Sequence, residues 1–390
     1  MSTTADSGPE DRAENPSENP SENPLGVRKD FPAVDHGTYL DCAYIGPCPR
    51  QVVEAGTTFL ESKAVRPISL PRMVDKMEQV RNQFSRLAGA SAEEIGFLST
   101  CSEGENIVAR SLGLRRGDNV VIDELHYLTT FVLYSRLSES LGVELRVAKQ
   151  SRGAVDVGEF ERLTDSKTRL ISVSWVSHQN GFRHDLRPLA DLAHANDAYL
   201  YVDGTQAAGM FPLELHEQGL DFFCSGTYKW LLAGYGVAPF YVRKSLLGRI
   251  SEIYLGELHV EERRPGNRYR IYPTARKYEY ATRAFAAIYQ LGAALDYLEK
   301  VGFDRIEAHT CALAQSLRRE LARQGYRVLT PPDNQSAIVA FEHGKDPAAL
   351  EQRIADGGIT VSYRENKTRI RLGIGLYNND REIRRFLGLL

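Results

Sequence analysis

The sequence predicts an α/β protein, a mainly parallel sheet with helices on both faces followed by a smaller α+β unit. Three observations carry this. Between residues 95 and 242, short apolar runs alternate with helical patterns, the rhythm of strand–helix–strand units. Val120-Val121-Ile122 and Phe222-Phe223-Cys224 are apolar at every position, as strands covered on both faces require. Beyond about residue 270 long amphipathic patterns take over, with fewer strands between them.

Residues 1–27 are dominated by Ser, Glu, Asn and Pro and contain the repeat E-N-P-S-E-N-P-S-E-N-P. Such a stretch has nothing to bury and predicts a disordered tail, with the folded chain beginning near Phe31. Residues 38–41 read as a short strand, Gly46-Pro47-Cys48-Pro49 as a rigid turn and 50–63 as a helix. Seven strands follow, at 95–98, 120–122, 143–147, 170–176, 199–202, 222–224 and 237–242, with helices at 105–112, 129–141 and 189–196. The helix expected over 282–300 draws its apolar side from Phe285, Ile288, Tyr289, Leu291 and Leu295. Helix 303–324, strand 336–341, helix 347–355 and strand 369–372 complete the chain. The expected organisation is a large domain over 46–285 and a small one from 28–45 and 286–390.

With 42% hydrophobic and 25% charged residues the composition is that of a soluble globular chain. A net charge of −3 gives no basic footprint for nucleic acid. No apolar run approaches the roughly 18–20 residues of a membrane span, and the acidic N-terminus lacks the apolar region of a secretory signal. Cysteines 42, 48, 101, 224 and 311 are odd in number and not spaced in metal-binding pairs, so free thiols in a reducing cytoplasm and no metal are expected.

Glu124, Asp203 and Ser225 each fall just after a predicted strand, which collects them on one edge of the sheet, where ligands bind in this architecture. Lys229 stands in S-G-T-Y-K-W-L-L-A-G-Y-G, residues 225–236, among aromatic and small side chains. Apolar surroundings lower a lysine's pKa and make its amine a nucleophile that forms Schiff bases; the plainer reading is a lysine snorkelling beside aromatics. Asp203, closing Tyr199-Leu200-Tyr201-Val202, reads on its own as an N-cap for a following helix or as a ligand-facing carboxylate. Thr100-Cys101-Ser102-Glu103 reads as a capping box with Ser102 as N-cap and Glu105 as its partner, or as a helix start that binds an anion. Arg369 and Arg371 point the same way on their strand, and a solvated edge strand is the plain reading. No G-x-G-x-x-G follows the first strand, which argues against a dinucleotide dehydrogenase.

Taken together, D-G-T-Q at 203–206 and S-G-T-Y-K-W-L at 225–231 resemble the class V aminotransferase and cysteine desulfurase superfamily, the fold-type-I pyridoxal phosphate enzymes. The branch most similar in these motifs holds isopenicillin N epimerase-like and selenocysteine lyase-like proteins. Y-L-D-C-A-Y-I-G-P at 39–47, F-L-S-T-C-S-E-G-E-N at 97–106, E-L-H-Y at 124–127 and I-R-L-G-I-G-L-Y-N-N-D at 370–380 extend the resemblance along the chain. It implies a seven-stranded large-domain sheet, pyridoxal 5'-phosphate as cofactor and a homodimer with its active site at the subunit interface.

Residue by residue, the resemblance makes Lys229 the Schiff-base lysine and later the acid/base for the α-proton. Asp203 keeps the pyridine nitrogen protonated, with Gln206 beside the cofactor. Cys101, Ser102 and Tyr228 hold the phosphate, and Thr282 reaches the phosphate of the partner subunit, although Ala281 stands where the family has glycine. His126 is the expected stacking ring, with Tyr127 next to it. His178 occupies the place of the usual asparagine near the phenolic oxygen, a position from which a histidine also serves as acid, base or substrate contact. Arg371 binds the substrate α-carboxylate, a bidentate task that suits arginine over lysine, with Arg369 as competitor or helper.

Desulfurases carry a nucleophilic cysteine on the loop before that arginine; here the loop is V-S-Y-R-E-N-K-T, 361–368, and no cysteine follows Cys311. The polar stretch 363–367 is expected to shape a pocket for a polar substrate. The expectation is therefore a lyase or transferase acting on an amino acid through an external aldimine and an α-carbanion. Its reaction is C–S cleavage by β-elimination of a cysteine-derived substrate, without a persulfide-forming cysteine. Transamination, epimerisation and decarboxylation in natural-product biosynthesis share the same carbanion and are the alternatives. A non-catalytic binding module would be marked by loss of Lys229 or Asp203, and both are present.

Overall fold

The structure, a computed structural model, describes residues 23–390. Its first part runs β1 (Thr38–Tyr39), α1 (Arg50–Val65), α2 (Leu70–Leu87), β2 (Ile95–Leu98), α3 (Cys101–Ser111), β3 (Asn119–Asp123), α4 (Leu128–Leu141), β4 (Glu144–Ala148) and α5 (Val157–Leu163). The strand–helix rhythm continues through β5 (Thr168–Ser174), α6 (Leu186–Ala195), β6 (Tyr199–Asp203), β7 (Phe222–Cys224) and β8 (Ala238–Val242). Then come β9 (Val260–Arg264), β10 (Arg268–Ile271), α7 (Phe285–Val301), α8 (Phe303–Arg323), β11 (Arg327–Val328) and β12 (Ile338–Glu342). The chain closes with α9 (Pro347–Asp356), β13 (Ile359–Thr360), β14 (Ser362–Arg364), β15 (Arg369–Gly373) and α10 (Asp380–Leu387).

Seven strands form one sheet in the order β2-β8-β7-β6-β5-β3-β4. It is parallel from β4 through β7, and only β8 runs against its neighbours β2 and β7. Alternate residues enter opposite cores: Leu200 and Val202 pack on one face and Tyr201 on the other, while Val121 faces away from Val120 and Ile122. A period of two with both faces apolar is what a sheet covered by helices on each side demands. A second sheet, β11-β12-β15-β14, is antiparallel throughout. The N-terminal β1 pairs with β13, and Asp41 bridges to Gly373, which sets the segment after β1 beside the C-terminal strands.

Three elements depart from expectation. Helix α2 begins L-P-R, where proline in the first turn costs nothing because its missing N–H would be unpaired anyway; it buries Met77, Val80 and Phe84. Helix α5 is only seven residues long. The β9–β10 hairpin is almost wholly exposed and charged, so no apolar alternation marks it. The predicted tail also ends earlier than expected. Its residues 1–22 lie outside the described residues, but Asn23 and Val27 are buried. Asn23 accepts the N–H groups of Leu25 and Gly26 at 3.0 and 3.1 Å and donates to the carbonyls of Leu376 and Asn378, both at 3.1 Å. One asparagine bonding backbone groups docks a segment that composition alone marks as tail.

Candidate active site

At the carboxyl end of β6, Gly204 lets the chain turn against the sheet: a Cβ there would lie 1.9 Å from the Phe223 ring. Asp203 Oδ1 accepts the Thr205 N–H at 2.8 Å. The residues after it turn without forming a helix, so Asp203 closes an Asx turn and the N-cap reading is not met. Beyond β7 the Lys229 loop is tied down on all sides. Thr227 donates to the carbonyls of Gly234 and Val237 at 2.7 and 3.0 Å. Gly46 N–H donates to Tyr228 O at 2.9 Å, an approach that only glycine permits, since a Cβ on Gly46 would sit 1.9 Å from the Lys229 carbonyl. Lys229 is 8% exposed. Burial pushes its pKa down to about 8, against the pull of Asp203 and with help from the charge of Arg371.

Lys229 and Asp203 line a cavity of about 380 Å³ together with Thr100, Cys101, Ser102, Tyr127 and Gln206. Tyr228 also lines it, its ring stacked on Tyr235 at 4.5 Å. His178 is shared with a second chamber of about 650 Å³ that contains Arg371. Thr282 is exposed and outside both linings. Gln206 has much of its amide committed: it accepts from Trp230 Nε1 at 2.7 Å and donates to Ala43 O at 2.9 Å, bracing the N-terminal turn against the Lys229 loop. The Cys101 thiol lies 3.3 Å from the Cys224 carbonyl, and contact with Cys224 and burial push its pKa well up, so it is held protonated.

The helix start differs from the predicted capping box. Thr100 is the N-cap, accepting the Glu103 N–H at 3.1 Å, and Glu103 answers by accepting the Ser99 N–H at 2.8 Å. Ser102 lies inside the first turn, 3.3 Å from the Thr129 hydroxyl. Glu105 turns inward instead. It is buried, lines the Lys229 cavity and accepts the hydroxyls of Thr130 and Ser172 at 2.7 and 2.8 Å. Burial pushes its carboxyl pKa up, while His126, Thr130 and Ser172 pull the other way. Sequence reasoning missed it as a site residue, although Val108 and Ala109, three and four residues on, mark its helix face as inward.

The structure also separates the two aromatic candidates. Tyr127 lines the Lys229 cavity, whereas His126 lies behind it and lines the second chamber. His126 is buried, accepts the Tyr127 N–H on Nδ1 at 2.7 Å and has Nε2 3.1 Å from the Ser172 hydroxyl. Of the two candidates for the stacking ring, Tyr127 is thus the one on the Lys229 cavity, and the nitrogens of His126 are used to hold the loop.

His178 meets Tyr127 edge-on at 5.0 Å, and its Nδ1 is buried without a partner. Burial first, then the charges of Arg371 and Lys229, hold its pKa down at about 3, so the ring is neutral near pH 7. The unfolded chain takes up that proton near its ordinary 6.5, so stability contributed by the neutral ring is full above that value and drains as pH falls towards 3. His178→Asn is therefore expected to lose less melting temperature than wild type between pH 7 and pH 4; equal slopes in a thermal melt series would contradict it.

Arg371 is 1% exposed. It donates to His178 O at 2.7 Å and to Ser362 Oγ at 3.1 Å, and pairs with Asp41 at 3.4 Å. Ser362 donates in turn to Asp41, 2.7 Å from both carboxylate oxygens. Burial, and then the charge of Arg364, lower the guanidinium pKa to about 10. Arg369 is partly exposed and bound to Glu342 at 3.2 Å, which distinguishes the two arginines of R-I-R. Asp41 and Ser362 are the other residues that sequence reasoning did not single out; the Leu40–Cys42 apolar flank of Asp41 was the available signal.

A sequence model of the family described as Aminotransferase class-V matches residues 38–386. A probable cysteine desulfurase of Methanothermobacter thermautotrophicus is 30% identical over 333 residues, 82% of this chain and 82% of that protein. Among solved structures, the apo cysteine desulfurase of Thermococcus onnurineus NA1 superposes with a TM-score of 0.86 at 24% identity, over 94% of this chain and 97% of that one. The cystine C–S lyase C-DES, in complex with its reaction product cysteine persulfide, superposes with a TM-score of 0.84 at 20% identity, over 92% and 98% of the two chains. These two likenesses show the shared fold. With a buried lysine and an aspartate at adjacent strand ends and a family match over nearly the whole described chain, this protein belongs to the class V aminotransferase family of pyridoxal phosphate-dependent enzymes.

Proposed function

We propose that this enzyme cleaves the C–S bond of a cysteine-derived amino acid by β-elimination, without a persulfide-carrying cysteine. One juxtaposition carries the reading: buried Lys229 lies in a cavity that continues past His178 to a buried arginine, Arg371. The donor set of that cavity fits the cofactor. Thr100, Ser102 and Thr205 bring hydroxyls, and the start of α3 brings free N–H groups, to where a phosphate dianion would be stabilised. Asp203 offers a carboxylate to a pyridinium nitrogen, Tyr127 a ring face and Lys229 an amine for the aldehyde. When bound, pyridoxal phosphate supplies an electron sink for negative charge at the substrate α-carbon.

The chain's own side chains do the rest. Arg371 grips the α-carboxylate as a bidentate pair, held in place by His178 O, Ser362 and Asp41. Lys229 takes the α-proton on Nζ, and its burial favours the free amine that this requires. Neutral His178 presents its unpaired Nδ1 as an acceptor between the lysine and the arginine. Tyr127 and Tyr228 screen the cavity from water. With one water, the products are a thiol, pyruvate and ammonium. Thr282, exposed and outside the cavity, is proposed to complete the phosphate site of the partner subunit in a homodimer.

Two observations favour elimination over persulfide transfer. The loop over 361–368 has no cysteine, and the one thiol lining the Lys229 cavity, Cys101, is held protonated. The test is to follow the visible spectrum of the holoenzyme with S-substituted cysteines while assaying pyruvate and ammonium. Stoichiometric release of both, with the starting spectrum restored, is the expected result. Lasting conversion to the pyridoxamine form without pyruvate would make the protein a transaminase instead.

A further inference from the structure

The chamber that adjoins the Lys229 cavity is far larger than a bare cysteine side chain needs: its volume of about 650 Å³ falls in the range of complete ligand sites, roughly 300–1,000 Å³. It is also strongly charged. Arg152, Arg327, Arg364, Arg369 and Arg371 all line it. The carboxylates that answer them are Glu342, shared by Arg327 and Arg369 at 2.9 and 3.2 Å, Glu365 at 3.8 Å from Arg369, and Asp41 behind Arg371. Five arginines against three carboxylates leave an excess of two positive charges. The excess is local, since the side chains of Arg152 and Arg364 form no ion pair with any described residue. Between the arginines the wall is apolar, with Leu125, Phe131, Val328 and Ile370. A wall of this kind, apolar side chains interleaved with basic ones, suits a chain that ends in an anion.

We infer that this chamber receives the sulfur substituent of the substrate, and that the substituent carries an anionic group, a carboxylate or its charge equivalent, held by Arg364 and Arg152. The inference rests on the C–S lyase reading above. Arg371 is occupied with the α-carboxylate and Arg327 and Arg369 with Glu342, so the two unpaired arginines are the ones free to read a distal charge. A guanidinium fork recognises such an oxyanion bidentately. Arg364 sits on β14, seven residues before Arg371, exposed and lining the chamber, with Glu365, Asn366 and Lys367 following in left-handed conformations at φ 47, 52 and 66.

The test separates the chamber from the chemistry. Calorimetric titration of the holoenzyme with α-aminopimelate and with α-aminoheptanoate compares two amino acids of equal length that differ in a distal carboxylate and have no C–S bond to cleave. A preference for the dicarboxylate of at least about tenfold is expected, shrinking as salt is raised. Arg364→Gln should collapse that ratio towards one, and Arg364→Lys should keep part of it. Equal affinity for the two amino acids in wild type, or a ratio unmoved by Arg364→Gln, overturns the inference. Pyruvate release from S-carboxyethyl-L-cysteine is measured beside it. A dicarboxylate preference without pyruvate upholds the chamber and rejects the lyase reading, and pyruvate without the preference does the reverse.

Discussion

Replacing Lys229 with methionine is expected to abolish turnover and to stabilise the protein stripped of its cofactor. Without the amine the proposed base for the α-proton is gone, and a positioned general base is worth about 10²–10⁴ in rate; loss of the covalent link should remove the cofactor's long-wavelength visible band as well. The stability effect follows from the same burial. Folding lowers the lysine pKa from 10.5 to about 8, which corresponds to about 3–4 kcal/mol of unfavourable free energy in the cofactor-free form. Below pH 8 both folded and unfolded chains carry the ammonium and that penalty is whole. Between 8 and 10.5 the folded form sheds its proton first, and above that range the penalty has gone. Denaturant titrations of the two cofactor-free proteins should therefore differ by about 3–4 kcal/mol at pH 7 and converge above pH 10.5. A variant that keeps the visible band, or is no more stable at pH 7, would remove Lys229 from its role.

How much of this arrangement the sequence disclosed depends on how local the cause is. Strand order aside, the large sheet was legible because each strand is apolar on both faces and ends in a turn, and Asp203 and Lys229 stand at two such ends. The β9–β10 hairpin was not, because its exposed charged residues have no burial pattern to announce them. Within the site the same division holds. Gly46 and Gly204 occur in visible motifs, but that each is required by a neighbour 1.9 Å from its missing Cβ is a tertiary fact. Glu105 illustrates the other failure. S-E-G-E offers two glutamates to one capping box, and the helix begins two residues earlier than the serine suggested, so Glu103 caps and Glu105 is turned into the core. Spacing rules give the cap to whichever residue starts the helix, and only packing decides which that is. His126 and Tyr127 differ in the same way: adjacent in sequence, they are parted by the hydrogen bonds of His126 with the Ser172 hydroxyl and the Tyr127 backbone N–H, which no local pattern records.

Arg371→Ala is expected to weaken substrate binding and the fold together, and the two losses can be separated. Removing a bidentate, desolvated partner of the α-carboxylate should raise KM by about 10²-fold or more, on the scale of 1.5–3 kcal/mol per charged hydrogen bond. The fold suffers because Asp41 is left behind. Its carboxylate is buried, its pKa is already raised by that burial, and Ser362 and Arg371 are what oppose the rise. Breaking a buried pair by deleting one partner costs about 3–5 kcal/mol. Without Arg371 the Asp41 pKa climbs further above its unfolded value. The unfolded chain then ionises first as pH rises, so the variant should lie nearest wild-type stability near pH 4 and fall away towards pH 8. Adding Asp41→Asn to Arg371→Ala removes the orphaned charge and should recover most of the stability at pH 8 while leaving KM high. Thermal melts at the two pH values, paired with KM for an S-substituted cysteine, read both quantities. Recovery of stability without recovery of affinity assigns Arg371 to the substrate. A wild-type KM in the double variant would leave it a structural ion pair and move the carboxylate site elsewhere in the chamber.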